Sequence, residues 1–132
     1  MHEWLNGRDF FERLPEELRN GIKTVVKLSD NGYYDYRDAD GPNLTSTYDK
    51  IFVPSPEELG FTDFSRYTLP GQGSAYPMFT DANSRKVPGK LYWTRSTAGS
   101  YTLHSFCVVD LDGRLTTSGG GSILGVMICF CI

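Results

Sequence analysis

The order of the hydrophobic patterns along the chain constrains its fold more than any other feature. Residues 3–22 carry apolar side chains at steps of three, four and seven, which indicates a helical face: Trp4, Phe11, Leu14, Leu18 and Ile22. Pro15 followed by two glutamates is typical of a new helix start, so we expect two short helices that meet near Leu14–Pro15. Strand-like segments follow without a βαβ rhythm, which favours an α+β fold with an antiparallel sheet.

The later part of the chain predicts several short strands. The strand-like segments are "KTVVKL" at 23–28, "DKIFVPS" at 49–55, "LYWTRS" at 91–96, and a hairpin at 104–119 that turns at Asp112–Gly113. Ser55 is a good N-cap for "SPEELGF", which predicts a helix of one to two turns. We expect residues 29–47 to be a loop or an irregular hairpin, and residues 61–90 to be mostly irregular with one helical turn.

The segment "GVMICFCI" at 125–132 raises three alternatives: a membrane anchor, a metal or redox site, or a buried strand. The longest apolar run has ten residues, "ILGVMICFCI", about half of a membrane-spanning helix. Cys129 and Cys131 share one face of a strand and cannot bridge each other without distortion. With Cys107 and His104 they match no standard zinc spacing. We therefore expect a strand that is buried on both faces and carries free cysteines.

Composition and charge exclude several classes of function. With 132 residues, the chain is expected to form one domain, residues 1–132, with its own core. Its net charge is −3 and basic residues form no patch, so we expect neither nucleic-acid binding nor membrane insertion. The first residues, "MHEWLNGRDF", lack the apolar segment of a signal peptide.

Motifs for catalysis and cofactors give little support to an enzyme. An EF-hand aligned on Gly41 places Tyr36 and Thr47 where carboxylates are required, although a single looser calcium site stays open. "SGGGS" at 118–122 has no lysine and is not a phosphate-binding loop, and no G-x-S-x-G motif is present. A triad built on His104 stays open but nothing proposes it. We predict no catalytic residue, no metal site and no cofactor.

Two segments between strands have the composition of a binding surface. "TAGSYTLH" and "RLTTSGGGSIL" mix small polar residues with scattered Tyr, Leu, Ile and His. Such residues combine adaptable hydrogen bonding with rigid contact area, as in antibody paratopes. Solvent-facing hairpins fit the same pattern, so both interpretations stay open at this level.

Several stretches together resemble a family of C-type-lectin-fold domains from gut bacteria and their phages. The matching stretches are "EWLNGRDFFERLPEELRNGIKTVVK", "DKIFVPSPEELGF", "GSAYPMFTDANSRKV", "LYWTRS", "SFCVVDLDG" and "GVMICFCI". That family has been described as a domain of unknown function. It is similar in fold to the formylglycine-generating, sulfatase-modifying-factor superfamily, and some members are variable proteins of diversity-generating retroelements.

The resemblance implies a C-type lectin fold with two short N-terminal helices and a twisted antiparallel sheet around a buried C-terminal strand. It implies a display domain that binds a host cell-surface protein or glycan, located in a virion tail or on the bacterial cell surface. Variable side chains would lie within 97–105 and 114–124. The candidate ligand-binding residues are Tyr101, Leu103, His104, Arg114, Leu115, Thr117, Ser122 and Ile123. Tyr101 and His104 would supply aromatic and polar contacts. Trp93 and Arg95 are expected to be framework, as a core aromatic and a buried or bridging cation.

Departures from the family pattern limit what is carried over. Met127 and Ile128 stand where relatives often have Arg-Pro or small residues. The chain starts almost at Trp4, so the domain is either shortened or the C-terminal part of a longer protein. The calcium motifs Glu-Pro-Asn and Trp-Asn-Asp are absent, and Cys107 and Cys131 are no convincing counterpart of the catalytic cysteine pair. A sulfatase-modifying-factor-like enzyme and a purely structural virion domain are the alternatives. Tail-tip proteins are often trimeric, so a homo-trimer is the expected assembly in a virion, although no heptad repeat enforces it.

Overall fold

The computed structural model describes residues 1–30, 44–64, 67–98 and 105–132. Within these ranges the chain has an α+β fold in which short helices precede a two-stranded and a four-stranded sheet. The predicted fold class is confirmed at this level. In the described part of the chain, no helix is long and apolar enough to cross a membrane.

The N-terminal helices form the first part of the core. Helix α1 spans His2–Asn6, a 3-10 turn spans Phe11–Arg13, and helix α2 spans Glu16–Gly21. The predicted pair of short helices and the joint before Glu16 are confirmed. The buried cluster consists of Leu5, Ile22, Ile51 and Val53, with Phe10, Phe11, Leu14 and Leu18 packed against it. Trp4, by contrast, is half exposed and lies against Phe10 at a ring distance of 5.4 Å.

The smaller sheet pairs strand β1, Val25–Asp30, with strand β2, Leu44–Asp49, in antiparallel register. The prediction of a strand at 49–55 is wrong, because β2 ends at Asp49 and Phe52 makes only an isolated bridge to Cys129. The physical reason is that the backbone N–H groups of Lys50 and Ile51 donate to Oδ1 of Asn6 instead of to a strand, at 2.7 and 2.9 Å.

The larger sheet has the strand order β5-β4-β3-β6. Its strands are β3 at Tyr92–Thr97, β4 at Ser105–Val109, β5 at Leu115–Gly119 and β6 at Gly125–Val126. The predicted β4–β5 hairpin is confirmed, and Gly113 in its turn has a φ of 76°, which favours glycine. The sheet is mixed and not wholly antiparallel, because β6 runs parallel to β3.

The C-terminal segment is not the buried strand that its composition predicts. Its side chains alternate: four are exposed by 36% or more, and those between them are partly buried. The exposed four are Val126, Ile128, Phe130 and Ile132. Strand β6 has two residues at the sheet edge, and the alternating burial of residues 125–132 shows that this segment packs against the protein with one face only. The expected near-complete burial of Cys129, Phe130 and Cys131 is therefore wrong. All three cysteines of the chain are free, as expected.

A second buried cluster joins the large sheet to the middle of the chain. It consists of Leu59, Phe79, Tyr92 and Val109. The predicted helical turn within 61–90 is confirmed as helix α3, Ala82–Arg85, which begins with a capping box between Asp81 and Ser84. Ser55 is an N-cap as expected, since its Oγ accepts from the N–H of Glu58 at 3.2 Å. The capped segment forms a single turn and does not continue as a helix.

Candidate ligand-binding groove

A groove with a cavity of about 490 Å³ lies between the two sheets and the start of α1. Core residues form part of its lining, among them Leu5, Ile51 and Val53. The inner side of β1 and β2 contributes the alternating residues Ser29, Thr45, Thr47 and Asp49. We call this cavity the groove from here on. It combines an apolar floor with a row of hydroxyl and carboxylate groups.

Two aromatic rings from the large sheet face the groove. Trp93 on β3 and Phe106 on β4 pack edge to face, with ring centres 5.9 Å apart and an interplanar angle of 80°. Both side chains are only partly buried. The sequence predicted a core aromatic at Trp93. The ring is instead only partly buried and forms part of the groove wall.

Asp49 is the buried carboxylate of the groove, with 3% of its surface exposed. Its Oδ2 accepts from Oγ1 of Thr47 at 2.7 Å, and its Oδ1 accepts from Nδ2 of Asn6 at 3.2 Å and contacts Nε2 of His2. Asn6 also donates to the carbonyl of Ile51 at 2.8 Å. Asn6 thus fixes α1 against the end of β2 and holds Asp49 in place.

Arg95 is a bridging cation, as predicted. Its guanidinium donates to the carbonyl oxygens of Leu28 and Val53, each at 3.1 Å, to the carbonyl of Gln72, and to Oε2 of Glu58. One side chain therefore connects β3 with β1 and with two irregular segments. Because its donors already have protein acceptors, Arg95 serves as a rigid wall of the groove more than as a free anion-binding group.

Glu58 connects Arg95 to Lys27 in a buried charge network behind the groove. Its Oε1 accepts from Nζ of Lys27 at 2.7 Å, and its Oε2 also accepts from the N–H of Ser55 at 3.1 Å. Burial opposes ionisation of Glu58, but the hydrogen bonds and charges of Arg95 and Lys27 outweigh it and lower its pKa. Two cations and one carboxylate therefore share this site in their charged forms.

The Lys27 side of the network is closed by aromatic rings. Its Nζ lies 3.7 Å above the ring centre of Phe52 and donates to the hydroxyl of Tyr76. Burial favours the neutral amine, but the hydrogen bonds to Glu58 and Tyr76 outweigh it and raise the Lys27 pKa. Burial also raises the Tyr76 pKa. Lys27 and Tyr76 therefore stay protonated around neutral pH, which keeps Lys27 a cation beside Glu58.

Burial keeps two of the cysteine side chains in the protonated thiol form. Burial raises the pKa of the Cys107 thiol to about 12 and that of Cys129 to about 11. Both groups are thiols and not thiolates at neutral pH, which makes them poor nucleophiles and metal ligands. In the described ranges, no three His, Cys, Asp or Glu side chains come together as a metal-binding group.

The structure separates the predicted ligand-binding residues into different places. Thr117, Ser122 and Ile123 are exposed, and Ile123 is fully so. Leu115 is buried, with 8% of its surface exposed, so it packs inward and we do not count it among ligand contacts. Arg114 is exposed but lies at the opposite end of β5 from residue 119, about 15 Å away by strand geometry.

Tyr101, Leu103 and His104 lie outside the described residues. The residues that flank this segment are placed: the N–H of Ala98 donates to the carbonyl of Ser105 at 2.9 Å, and Ser105 pairs with Gly119. Ala98 and Ser105 therefore lie near the turn at 119–123, which is closed by a hydrogen bond of 3.0 Å from the Ser122 N–H to the Gly119 carbonyl. Gly120 of this turn lines the groove.

Sequence reasoning did not find the groove itself. Its polar row comes from the segment "TSTYD", whose period-two pattern places Thr45, Thr47 and Asp49 on one face of a strand. That signal was present, but it lies at the end of a segment predicted to be a loop. The charges of Glu58 and Lys27 gave no local signal, because their partners come from distant parts of the chain.

Comparison with known proteins gives one match. The family model described as "Domain of unknown function (DUF6273)" matches residues 1–132, and the chain belongs to that family. No curated protein and no solved structure matches it.

Proposed function

Starting from a family whose function is unknown, we propose that this chain is a ligand-binding display domain. The observation that carries the proposal is the open groove beside the exposed turn at 119–123. A concave site with apolar lining and a few placed polar groups is the usual form of a binding site. We take this turn as the rim of the groove and propose Thr117, Ser122 and Ile123, which are exposed on or next to it, as ligand contacts. Tyr101, Leu103 and His104 remain candidate contacts from the sequence alone.

The rim is separated from the groups that stabilise the fold, which supports a role in display. A Cβ atom added at Gly119 or Gly121 would meet no atom of the described residues within 4 Å, which supports tolerance of side chains in this turn. The buried charges of Glu58 and Lys27 lie behind the groove wall. Strands that hold a replaceable rim are a common way to build a recognition surface.

The finer parts of the proposal rest on the resemblance seen in the sequence. We propose a C-type lectin fold, an origin in a phage or prophage tail or bacterial surface protein, and a rim of the type diversified by retroelements. The receptor would be a host cell-surface protein or glycan, and a homo-trimer would be the assembly in a virion. A reverse transcriptase and a template repeat beside the gene would support the retroelement part, and their absence would remove it.

The proposed role is not enzymatic. The high thiol pKa of Cys107, one of the two cysteines compared with the catalytic pair, supports this, because oxidation of a substrate cysteine by a formylglycine-generating enzyme requires reactive thiols. Incubation with copper and a cysteine-containing sulfatase peptide is expected to yield no aldehyde. Aldehyde formation would instead identify a sulfatase-modifying-factor-like enzyme.

Binding of the fluorescently labelled domain to bacterial cells and glycan arrays tests the display function. We expect saturable binding that is lost in Ile123→Asp and in Tyr101→Ala. Leu111→Asp is the matched control for Ile123→Asp, since Leu111 is 53% exposed in the turn at the other end of the same hairpin. It should bind like the wild type. Absence of binding, or equal loss in the control, would favour a purely structural virion domain.

A further inference from the structure

We propose that the groove holds one neutral, hydroxylated ring, that is, a saccharide unit, and that it does so without a metal ion. The inference rests on the proposed function and specifies the ligand chemistry of that site. Three features of the lining carry it: a pair of available hydroxyls, a partly exposed aromatic wall, and a charge distribution that disfavours acidic groups.

The available hydroxyls belong to Ser29 and Thr45. These residues are direct cross-strand partners on β1 and β2 and both line the groove. Such partners have Cβ atoms about 4.5–5.5 Å apart. Within the described part of the chain, neither hydroxyl has a hydrogen-bond partner, whereas Thr47 is bound to Asp49. Two adjacent hydroxyls that both donate and accept suit the neighbouring hydroxyl groups of a sugar ring.

The aromatic part of the lining supplies the apolar contact that such a ring requires. Trp93 and Phe106 present partly buried rings to the same cavity. A saccharide ring has an apolar face of C–H groups and a polar rim, so it fits between an aromatic wall and a hydroxyl wall. The cavity of about 490 Å³ lies within the range of small-molecule sites, about 300–1,000 Å³.

The charges of the lining oppose an acidic ligand. Arg95 is paired with Glu58 and donates to three carbonyl oxygens, whereas the hydrogen-bond donors of the Asp49 carboxylate, Asn6 and Thr47, are neutral. An acidic ligand group would enter the groove without an available counter-charge, and burial of an unpaired charge is costly. Acidic sugars are therefore expected to bind more weakly than neutral sugars of the same shape.

Tryptophan fluorescence measures this binding directly, because the chain contains two tryptophans. Trp4→Phe keeps a ring against Phe10 and leaves Trp93, in the groove wall, as the sole reporter. We would titrate this variant with glucose, galactose, mannose and maltose in the presence of EDTA. The expected result is a saturable change in Trp93 emission, with a Kd in the millimolar range typical of single weak sites, roughly 1 mM.

A valine substitution distinguishes recognition by hydroxyl groups from nonspecific binding. In the Trp4→Phe background, Thr45→Val removes one hydroxyl at nearly constant volume and should weaken binding about fivefold, as expected for one lost neutral hydrogen bond. Thr24→Val is the matched control, because Thr24 is exposed just before β1 and outside the groove. It should leave the affinity unchanged, and circular dichroism checks that both variants are folded.

Each outcome of the titration bears on the proposal. Saturable binding that is sensitive to Thr45→Val supports it. No response to any neutral sugar, equal affinity for glucuronate, or preference for N-acetyltyrosine amide would overturn it. If cells are bound in an Ile123-dependent manner without a sugar response, the display function stands and the saccharide inference fails. If sugars bind but cells do not, the groove chemistry stands and the display function fails.

Discussion

The Nζ atom of Lys27 lies 2.7 Å from Oε1 of Glu58, and the two side chains are exposed by only 7% and 3%. This ion pair fixes β1 to the turn that begins at Ser55. Arg95 attaches β3 to the same carboxylate. Three segments that are distant in sequence therefore meet at one acidic group, and the groove wall depends on its charge.

Replacing Glu58 by glutamine is expected to destabilise the fold strongly. The substitution keeps the shape of the side chain but leaves Lys27 and Arg95 without a counter-charge in a buried site, which typically costs about 3–5 kcal/mol. Urea denaturation followed by circular dichroism measures the loss. Glu16→Gln, at an exposed position of α2, is the control and should change the free energy of unfolding by less than about 0.5 kcal/mol. Equal stabilities of the two variants would contradict the role of the network.

Stability should fall at both acid and alkaline pH. The folded-state pKa of Glu58 lies below its ordinary value of 4.5, so its contribution is present above that pH and is lost as pH falls through the folded value. The pKa of Lys27 is raised above 10.5, so its contribution is present below that pH and lost as pH rises further.

The thiols extend the alkaline loss to lower pH. Cys107 and Cys129 have pKa values raised from 9.0 to about 12 and about 11, so stability should begin to decline above about pH 9. Thermal unfolding across a pH series measures both limbs. Glu58→Gln should have a shallower acid limb than the wild type, and an unchanged acid slope would show that Glu58 does not contribute to it.

Removing residues 128–132 is expected to unfold the domain or nearly so, even though this segment is only half buried. The deletion breaks backbone hydrogen bonds from Lys23 to Cys131 at 2.8 Å and between Phe52 and Cys129 at 3.0 and 2.9 Å. Phe52 is 4% exposed, so its backbone groups would lose their partners in a buried region, at a cost of about 1–3 kcal/mol each. Calorimetry tests this, with removal of the exposed Ile132 alone as the control. A truncated chain with an unchanged melting temperature would refute it.

Gly113→Ala is expected to destabilise the β4–β5 hairpin and its contact with α3. Gly113 has a φ of 76°, and a Cβ atom there would overlap the carbonyl oxygen of Ala82. We expect a loss of more than about 1 kcal/mol in urea denaturation. Gly121→Ala is the matched control, because a Cβ atom at that position meets no atom within 4 Å in the part of the chain that the structure describes. A similar loss in both variants would mean that the close approach of Gly113 to Ala82 does not cause the destabilisation.

Local signals predicted the parts of the fold that neighbouring residues determine. The helix joint at Pro15, the cap at Ser55 and the hairpin turn before Arg114 all depend on side chains or backbone preferences within a few residues. The predictions for 49–55 and 125–132 were wrong for a different reason. The composition of both segments favours buried strands, but backbone N–H groups of the first donate to Asn6 instead of to a strand. The second lies at the sheet edge and packs with one face only.

The groove could not be predicted because its walls are assembled from distant segments. Trp93 and Arg95 were singled out as framework, and Arg95 fulfils that role. Their partners Phe106 and Glu58 belong to other parts of the chain, and pattern within one segment gives no information about such pairs. The exposed turn at 119–123 was easier to predict, since small polar residues between strands indicate an accessible turn. Ser122 and Ile123 are indeed exposed.

The bridge between Lys23 and Cys131 has a consequence for the kinetics of folding. It joins residues from near the two ends of the described chain, as the pairing of Tyr92 with Gly125 joins β3 to the last strand. Contacts of such long sequence separation slow the folding of small domains. During synthesis, β1 and the segment around Phe52 must wait until Cys129 and Cys131 have left the ribosome. Refolding of the purified domain should therefore be slow, on the order of milliseconds to seconds.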